Sequence, residues 1–516
     1  MTTTNRLLPS GRPCINHMEM RGIVKRFPGV LANDRVDFDV RSGEVHALLG
    51  ENGAGKSTLM KQLYGLYQPN EGEIIFDGHP VTINSPAAAI RLGVGMIHQH
   101  FMLVDSLTVA ENVALGLPSS RGVLTDLDKV SARITELAQL YGLLVDPKAY
   151  VWQLSVGQQQ RVEIIKALYR GAALLILDEP TAVLTPQEVD EFFVTLKQMA
   201  NDGHALIFIS HKLHEVMAFT DRVTVLRDGR NVGAVVTKNS SKADLARMMV
   251  GRELNLNPDR PAMEIGAIRL KLDQVQAQSD RGVPALRGVS LEIRAGEIVG
   301  LAGVSGNGQM ELAEVVAGLR PQTGGRLFID GHDVTGQVPA QMIAHGLSYI
   351  PEERNRDGMI KEFTIAENLI LRENDKPPYA HHGILDFKAI ARKSAELVQN
   401  FAVKTPTLET PIKNLSGGNA QKVILARELA RAPRVLIAAQ PTRGLDIGAT
   451  EYVRDRLIAQ RQEGTATLLI SEDLDEILAL SDRVAVIFHG EIMGIVEGAQ
   501  ATPEKLGLLM AGERGV

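Results

Sequence analysis

The sequence predicts an α/β protein built from two tandem copies of one domain. An internal repeat is the first observation: SGEVHALLGENGAGKST, beginning at Ser42, aligns with AGEIVGLAGVSGNGQME, which begins 253 residues later at Ala295. The second is that short apolar runs, such as residues 173–177 and 205–209, alternate with longer helical patterns. This alternation is typical of a mainly parallel sheet with helices packed on it.

Further repeated motifs extend the two copies over the chain. LSVGQQQRVEI from Leu154 aligns with LSGGNAQKVIL from Leu415, at an offset that has grown to 261 residues, so copy 2 carries short insertions. We expect a flexible tail over residues 1–15, copy 1 over 16–252, a polar linker over 253–265 and copy 2 over 266–516. The stretch from Leu103 to Gly157 lacks strong strands and predicts a helical subdomain inserted in the core.

Composition excludes several classes of function. Lys and Arg total 55 against 61 Asp and Glu, a net charge of −6, and aromatic residues make up 4%, which argues against nucleic-acid binding. No apolar run approaches the ~20 residues that span a bilayer, and the N-terminus lacks the hydrophobic stretch of a signal peptide. We therefore expect a protein that stays on the cytosolic side.

Cysteine and histidine usage argues against a disulfide or a metal cluster. Cys14 is the only cysteine, and we interpret it as an unreactive thiol in the N-terminal tail. His98 and His100 alternate along a strand, and His211 and His214 have helical spacing. Without cysteines or a clear acidic third ligand, neither pair predicts a zinc site.

Residues 50–57, GENGAGKS, match the Walker A pattern of a phosphate-binding loop between a strand and a helix. The glycines let backbone N–H groups wrap the phosphates, Lys56 reaches the β- and γ-phosphates, and Ser57 is a ligand for Mg²⁺. The residues expected to contact ATP here are Gly50, Glu51, Asn52, Gly53, Ala54, Gly55, Lys56, Ser57 and Thr58.

An acidic pair follows a buried strand later in copy 1. The run ALLIL at residues 173–177 leads directly into Asp178 and Glu179, the Walker B arrangement. Asp178 is expected to hold Mg²⁺, directly or through water, and Glu179 to polarise the attacking water.

The LSVGQ and LSGGN segments resemble the signature motif of ABC-type ATPases, and the resemblance covers nearly the whole chain twice. It implies two P-loop NTPase domains, each with a mainly parallel core, an antiparallel β subdomain and the inserted helical subdomain. Phe27 resembles the adenine-stacking aromatic, Gln99 the Q-loop and His211 the switch histidine. By this resemblance Gln99 senses the γ-phosphate and Mg²⁺, and His211 hydrogen-bonds the γ-phosphate.

The two copies are not equivalent. Copy 2 keeps the glycines of its loop, but Met310 stands at the position of Ser57. Other residues replace the lysine, the Q-loop glutamine, the acidic pair and the histidine of copy 1, namely Gln309, Glu352, Ala439, Gln440 and Glu472. Copy 2 is therefore not expected to hydrolyse ATP.

In ABC ATPases two domains dock head to tail, so each ATP lies between the Walker motifs of one and the signature of the other. On that geometry, the intact motifs of copy 1 are completed by Ser416, Gly417, Gly418 and Asp446. Val156 and Thr185 replace the signature glycine and the aspartate in copy 1. They fall on the other site, together with the replaced residues of copy 2 named above. Because random drift would not sort substitutions that way, we expect one competent site and one degenerate site, whose nucleotide binding the sequence leaves open.

The resemblance implies the ATPase subunit of a membrane importer, with two transmembrane permease subunits and an extracytoplasmic solute-binding protein as partners. It implies ATP and Mg²⁺ as cofactors and a peripheral position on the cytoplasmic face of the bacterial plasma membrane. The segments IHQHF, AAQPTRGLD and SEDLDEI are most similar in sequence to the nucleoside branch of these import ATPases. A ribose- or galactose-type sugar importer is the alternative, and a soluble twin-ATPase acting on ribosomes is a distant one.

Overall fold

Each copy of the repeat folds around a mainly parallel sheet with a smaller antiparallel sheet beside it. The computed structural model describes residues 7–8, 14–98, 101–117, 126–181, 184, 186–210, 212–253 and 258–514, with the backbone alone at 186 and 187. The chain divides into two units, Met1–Leu254 and Asn255–Val516.

Unit 1 alternates short strands with helices, as the sequence predicts. Its described strands are β1 (His17–Phe27), β2 (Val30–Arg41), β3 (Val45–Leu49), β4 (Glu71–Phe76), β5 (His79–Val81), β6 (Val94–Ile97), β7 (Leu174–Asp178), β8 (Ala205–Ile209), β9 (Arg222–Arg227) and β10 (Arg230–Val236). Its described helices are α1 (Lys56–Leu63), α2 (Pro86–Arg91), α3 (Val109–Ala114), α4 (Leu127–Tyr141), α5 (Val156–Tyr169), α6 (Pro186–Asn201), α7 (Leu213–Phe219) and α8 (Lys242–Val250).

The core sheet of unit 1 has the strand order β10-β9-β3-β8-β7-β6, and its pairs are parallel except β10 with β9. Every residue of β3, β7 and β8 is buried, as expected for strands covered on both faces. A second sheet, β2-β1-β4-β5, is antiparallel throughout. The prediction of a mainly parallel core with an antiparallel subdomain is confirmed.

Unit 2 repeats this arrangement. Its described strands are β11 (Ile268–Gln278), β12 (Pro284–Arg294), β13 (Ile298–Ala302), β14 (Gly324–Ile329), β15 (His332–Asp333), β16 (Leu347–Ile350), β17 (Ala380–His381), β18 (Ile384–Leu385), β19 (Val435–Ala439), β20 (Ala466–Ile470), β21 (Arg483–Phe488) and β22 (Glu491–Glu497). Its described helices are α9 (Gln309–Val316), α10 (Pro339–Ala344), α11 (Ile365–Ile370), α12 (Phe387–Asn400), α13 (Gly417–Leu429), α14 (Ile447–Gln462), α15 (Leu474–Leu480) and α16 (Pro503–Met510).

The core of unit 2, β16-β19-β20-β13-β21-β22, has the strand order of unit 1 read from the other edge, and its antiparallel sheet, β12-β11-β14-β15, has the same order as that of unit 1. In both units the strand that leads into the phosphate loop, β3 or β13, is central and lies between two parallel neighbours. The hairpin of β17 and β18 lies between α11 and α12. The loop at the carboxyl end of a central strand is the usual ligand position in such sheets.

The segment between the core strands β6 and β7 is helical in its described part, as the sequence predicts. Helices α3 and α5 begin with capping boxes, Thr108 with Glu111 and Ser155 with Gln158, in which each side chain accepts from the other residue's backbone N–H. Unit 2 repeats the first of these boxes with Thr364 and Glu367. The local sequence therefore determines where α3, α5 and α11 begin.

The start of the chain corrects one prediction. Cys14 is 4% exposed and lies with Leu8 and Ile15 in the hydrophobic core of unit 1, against β1 and β2 residues such as Met18 and Phe38. These described residues therefore do not form a loose tail, because burial of their apolar side chains fixes them to the unit. Cys14 is a buried core thiol.

The described part of the predicted linker is tied to unit 2. The Arg461 guanidinium donates to the carbonyl oxygen of Pro261 at 2.9 Å, and Arg260 donates to the carbonyl oxygen of Ser481. Over the ranges that the structure covers, no helix combines the length and the apolar character needed to cross a membrane.

Candidate functional site

The first phosphate loop connects β3 to α1, and its glycines are required by its shape. Gly50 has φ +156° and Gly55 has φ +96°, both in the range that favours glycine. A Cβ at Gly50 would collide with the carbonyl oxygen of Leu226, and one at Gly55 with that of Ala32. The loop is therefore a cradle formed by backbone alone, which lets its N–H groups approach a phosphate closely.

Lys56 and Ser57 lie where this cradle meets the helix. The buried Lys56 ammonium donates to the carbonyl oxygens of Gly50 at 2.9 Å and Glu51 at 3.0 Å, so it lies inside the loop. The Ser57 hydroxyl donates to the Asp178 carboxylate at 3.4 Å. Residues 121 positions apart in the sequence thus lie side by side at the loop mouth.

The acidic pair is placed at the end of β7. Asp178 is 8% exposed, and burial, together with the neighbouring charge of Glu179, raises the pKa of its carboxyl. Glu179 has φ +49°, and its N–H donates to the carbonyl oxygen of Ile209 at 3.0 Å. This left-handed conformation directs the chain away from the strand directly after the two carboxylates.

The Ser57 hydroxyl and the Asp178 carboxylate form an oxygen pair that suits a Mg²⁺ ion. Mg²⁺ prefers oxygen ligands, is commonly held by one or two protein groups and takes its remaining ligands from phosphates and water. A bound cation would also favour the ionised form of Asp178, which burial opposes. Within the described ranges no group of three or more His, Cys, Asp or Glu side chains forms a separate metal cluster.

Phe27 has partners that sequence reasoning missed. Its ring meets the ring of Tyr67 edge to face at a centroid distance of 5.3 Å. The Lys25 ammonium lies 5.4 Å from the Phe27 centroid and is anchored by a 2.7 Å hydrogen bond to the carbonyl oxygen of Gln68. Lys61 of α1 lies 5.9 Å from the Tyr67 centroid. The pairing of β1 with β4 brings Tyr67, which precedes β4, beside Phe27. No local pattern in the sequence indicates this pairing.

A buried carboxylate, Glu215, is a second missed residue. Its Oε2 accepts from the Thr181 hydroxyl at 2.7 Å and from the Ser210 hydroxyl at 3.3 Å, and its Oε1 pairs with Lys212 at 3.0 Å. It thereby connects the segment after Glu179 to the end of β8. Three predicted residues, Gln99, His211 and Thr185, lie outside the described residues.

The signature residues begin helices in both units. Ser155 caps α5, where Val156 is 43% exposed, and Ser416 caps α13 by accepting from the N–H of Asn419. Asp446 caps α14 by accepting from the N–H of Ala449 at 2.8 Å. The helix dipole favours a negative group at each of these N-termini, and at α14 the Asp446 carboxylate supplies one.

The two signature glycines of unit 2 differ in the room around them. A Cβ at Gly417 would lie 3.2 Å from the Arg354 guanidinium and 3.7 Å from the carbonyl oxygen of Gly444, in the segment that leads to Asp446. A Cβ at Gly418 would lie 2.9 Å from the Cβ of Ala449. The pairing of these unit 2 residues with the loop of unit 1 stays a prediction.

In unit 2 the residues that replace the acidic pair occupy the same backbone positions as Asp178 and Glu179 in unit 1. Gln440 has φ +47°, matching Glu179, and its N–H donates to the carbonyl oxygen of Ile470 at 2.7 Å. Ala439 is buried at the end of β19 and offers no oxygen at the Asp178 position. Glu352 forms an ion pair with Arg443, and Glu472 is exposed.

Comparisons with known proteins agree with this geometry. The family model described as ABC transporter matches residues 33–182 and 286–443. A glucose import ATP-binding protein, TsgD13 of Haloferax volcanii, is 48% identical over 96% of both chains. A nucleoside import ATP-binding protein, NupA of Lactococcus lactis, is 46% identical over 96% of this chain and 98% of its own.

A solved structure shows the same fold. It is the complex of an archaeal ribosomal stalk protein with the archaeal ribosome recycling factor aABCE1, with TM-score 0.63 and 18% identity over 95% of this chain and 92% of that one. At this identity the likeness concerns the fold alone. With the family model matched in both copies and full-length relatives above 45% identity, the chain belongs to the ABC transporter family of ATP-hydrolysing, ATP-binding proteins.

Proposed function

We propose that this protein is the ATP-hydrolysing subunit of a membrane importer, with one competent ATP site, and that its cargo is a nucleoside. One observation supports the difference between the two ATP sites. Copy 1 gathers Lys56, Ser57, Asp178 and Glu179 at the mouth of one loop, whereas copy 2 has a residue without the required chemistry at each of these positions.

The residues of copy 1 have distinct roles in hydrolysis. The loop N–H groups and Lys56 hold the β- and γ-phosphates, and Glu179 accepts the proton of the attacking water. Ser57 and Asp178, with Gln99, would hold Mg²⁺, which neutralises phosphate charge when bound. His211 hydrogen-bonds the γ-phosphate, and Phe27 stacks on the adenine.

Copy 2 completes this site in the proposed arrangement. Ser416, Gly417, Gly418 and Asp446 bring the N-terminus of α13 and the start of α14 to the γ-phosphate held by copy 1. Backbone donors directed at a developing charge act more strongly where water is excluded. Hydrolysis removes the group that bridges the two domains, so it separates them, and this is the motion that a transporter can use.

The cargo is assigned by similarity alone. The relative that imports nucleosides and the amino-acid sequences of the motifs favour a nucleoside. Because another relative is a glucose import protein, a sugar is the second candidate cargo, and this includes sugars of the ribose and galactose type. Two permease subunits, an extracytoplasmic binding protein and a peripheral position on the cytoplasmic face of the plasma membrane complete the proposal.

Transport assays with the full chain test the proposal. In vesicles that contain the permease subunits and the binding protein, uptake of radiolabelled guanosine should require ATP and stop with Glu179→Gln, which keeps ATP binding. Lys56→Ala should abolish hydrolysis, and the matched change Gln309→Ala should leave most of it. Near-normal turnover of Glu179→Gln, or equal losses for Lys56→Ala and Gln309→Ala, would contradict the proposed site. Uptake of ribose or glucose in place of guanosine would favour the sugar alternative.

A further inference from the structure

The phosphate loop of unit 2 is held together by two side chains that copy 1 lacks. Gln309 and Asn307 stand at the positions of Lys56 and Ala54. The Gln309 Oε1 accepts from the N–H of Asn307 at 3.0 Å, and its Nε2 donates to the carbonyl oxygen of Val304 at 2.9 Å. Gln309 thus connects two points of the loop from its interior.

Asn307 adds a second connection. Its Nδ2 donates to the carbonyl oxygen of Val304 at 2.8 Å, and its Oδ1 accepts from the N–H of His489 at 2.7 Å. Its carbonyl oxygen also accepts from the N–H of Gly490 at 3.0 Å. The loop is therefore bonded to itself and to the turn between β21 and β22.

The corresponding loop of copy 1 has a different pattern. The N–H of Ala54 donates to the carbonyl oxygen of Glu51 at 3.1 Å, and the Lys56 ammonium can only donate. An oxygen that accepts from a loop N–H is what a phosphate supplies in such a cradle. In copy 2 the amide oxygen of Gln309 supplies that acceptor from within the chain.

The base end of copy 2 is also occupied by internal contacts. Arg320 and Glu314 stand at the positions of Tyr67 and Lys61. The Arg320 guanidinium pairs with Glu314 at 2.7 Å and with Asp280 at 2.7 Å, and donates to the carbonyl oxygen of Gln278 at 2.8 Å. A network of ion pairs therefore replaces the two aromatic rings on which an adenine could stack.

Acidic residues take two further positions of copy 2. Glu352 stands at the position of Gln99 and forms an ion pair with Arg443, and burial raises the pKa of its carboxyl. Glu472, at the position of His211, also donates its N–H to the side-chain oxygen of Gln440 at 3.4 Å. Neither residue carries the amide N–H donor or the imidazole that the sequence of copy 1 has at the aligned positions.

We propose that Gln309 takes the place of a phosphate in the second loop, so that copy 2 stays formed without nucleotide and the chain binds one ATP. Copy 2 then serves as a permanently ordered support for its signature helix. The inference rests on the proposed function in taking copy 1 as the ATP site.

Nucleotide stoichiometry is the first test. Full-length Glu179→Gln protein, which should not turn over, is dialysed against radiolabelled ATP with Mg²⁺ until binding saturates. We expect one ATP per chain at saturation, and Lys56→Ala should raise the ATP concentration needed for half-saturation about tenfold or more, since it removes a charge-assisted contact of ordinary strength. Two ATP per chain, or half-saturation unchanged by Lys56→Ala, would overturn the inference while leaving the importer function intact. Absence of ATP binding in the parent protein would instead contradict the proposed function.

Amide hydrogen exchange tests the loop itself. Without nucleotide, the Asn307 N–H should be protected, and Gln309→Ala should make it exchange about fivefold faster, the factor for one hydrogen bond of ordinary net strength. Gln309→Met, of similar volume but without the polar atoms, gives the same readout if the alanine variant does not fold. Gln322→Ala is the control, because that half-buried side chain lies outside the loop and donates to the carbonyl oxygen of Gly325 at 2.9 Å. An unprotected Asn307 N–H in the wild type, or exchange unchanged by both Gln309 variants, would refute the proposal.

Discussion

Replacing Gly417 by valine tests whether the signature of unit 2 completes the ATP site of unit 1. The backbone at Gly417 is ordinary helix, so a side chain is not strained there. Its Cβ would lie 3.2 Å from the flexible end of Arg354, which can shift by a few tenths of an ångström. Copy 1 already carries the exposed Val156 at this position. We therefore expect the free energy of unfolding to change by about 1 kcal/mol or less.

Activity should respond far more strongly. A valine side chain at the start of α13 would keep the helix N–H groups away from a γ-phosphate, and loss of one such backbone donor costs about 100-fold or more in rate. The measurement is phosphate release from ATP by the full chain, together with the urea midpoint of unfolding. The reciprocal variant Val156→Gly should keep ATP hydrolysis within about twofold, at a stability cost of about 1 kcal/mol.

Gly418 provides the comparison that separates folding from catalysis. An alanine there would place two methyl carbons 2.9 Å apart, against Ala449 of α14, so Gly418→Ala should lower stability by about 1 to 3 kcal/mol. Gly417→Val should lose activity without that loss. A Gly417→Val protein that unfolds at the wild-type midpoint and keeps more than about a third of its turnover would refute the composite site.

Three further predictions concern unit 1. Tyr67→Leu should raise the KM for ATP about three- to tenfold with little change in kcat, because the Phe27 ring loses its edge-to-face partner. Tyr67→Phe, which keeps the ring, should stay near wild type. Steady-state kinetics measure both variants, and equal effects would be inconsistent with a role for the ring. Burial, with the nearby Arg222, lowers the pKa of His46 from 6.5 to about 4, so folding favours the neutral ring. The contribution of neutral His46 to the free energy of unfolding is therefore present above pH 6.5 and is lost as the pH falls toward 4. Urea unfolding should show that between pH 7 and 5 the wild type loses about 2 kcal/mol more than His46→Gln, and parallel pH profiles would disprove this. Cys14 should react with a thiol reagent at least about 100-fold more slowly in the native protein than in urea, and equal rates would contradict its burial.

The repeat and the motifs in the sequence determined the fold class and the asymmetry between the copies. Both follow from local information: a strand, a glycine-rich turn and a helix in succession specify the phosphate loop, and a substitution such as Lys to Gln at position 309 removes a charge whatever surrounds it. The apolar run predicted as a strand at residues 173–177 forms β7, Leu174–Asp178, one residue further along the chain.

Tertiary structure alone decided which distant residues meet. Tyr67 lies beside Phe27 because β1 pairs with β4 in a register that places Val24 opposite Glu71, and no local pattern specifies that register. Cys14 is buried because apolar residues that precede β1 pack on the antiparallel sheet, although the surrounding prolines and polar residues read as a tail. The sequence showed that Gln309 lacks the charge of Lys56, and the structure showed that its amide makes loop contacts of its own. That difference depends on a side-chain rotamer and on a neighbouring turn 182 residues away in the chain, which composition and spacing do not encode.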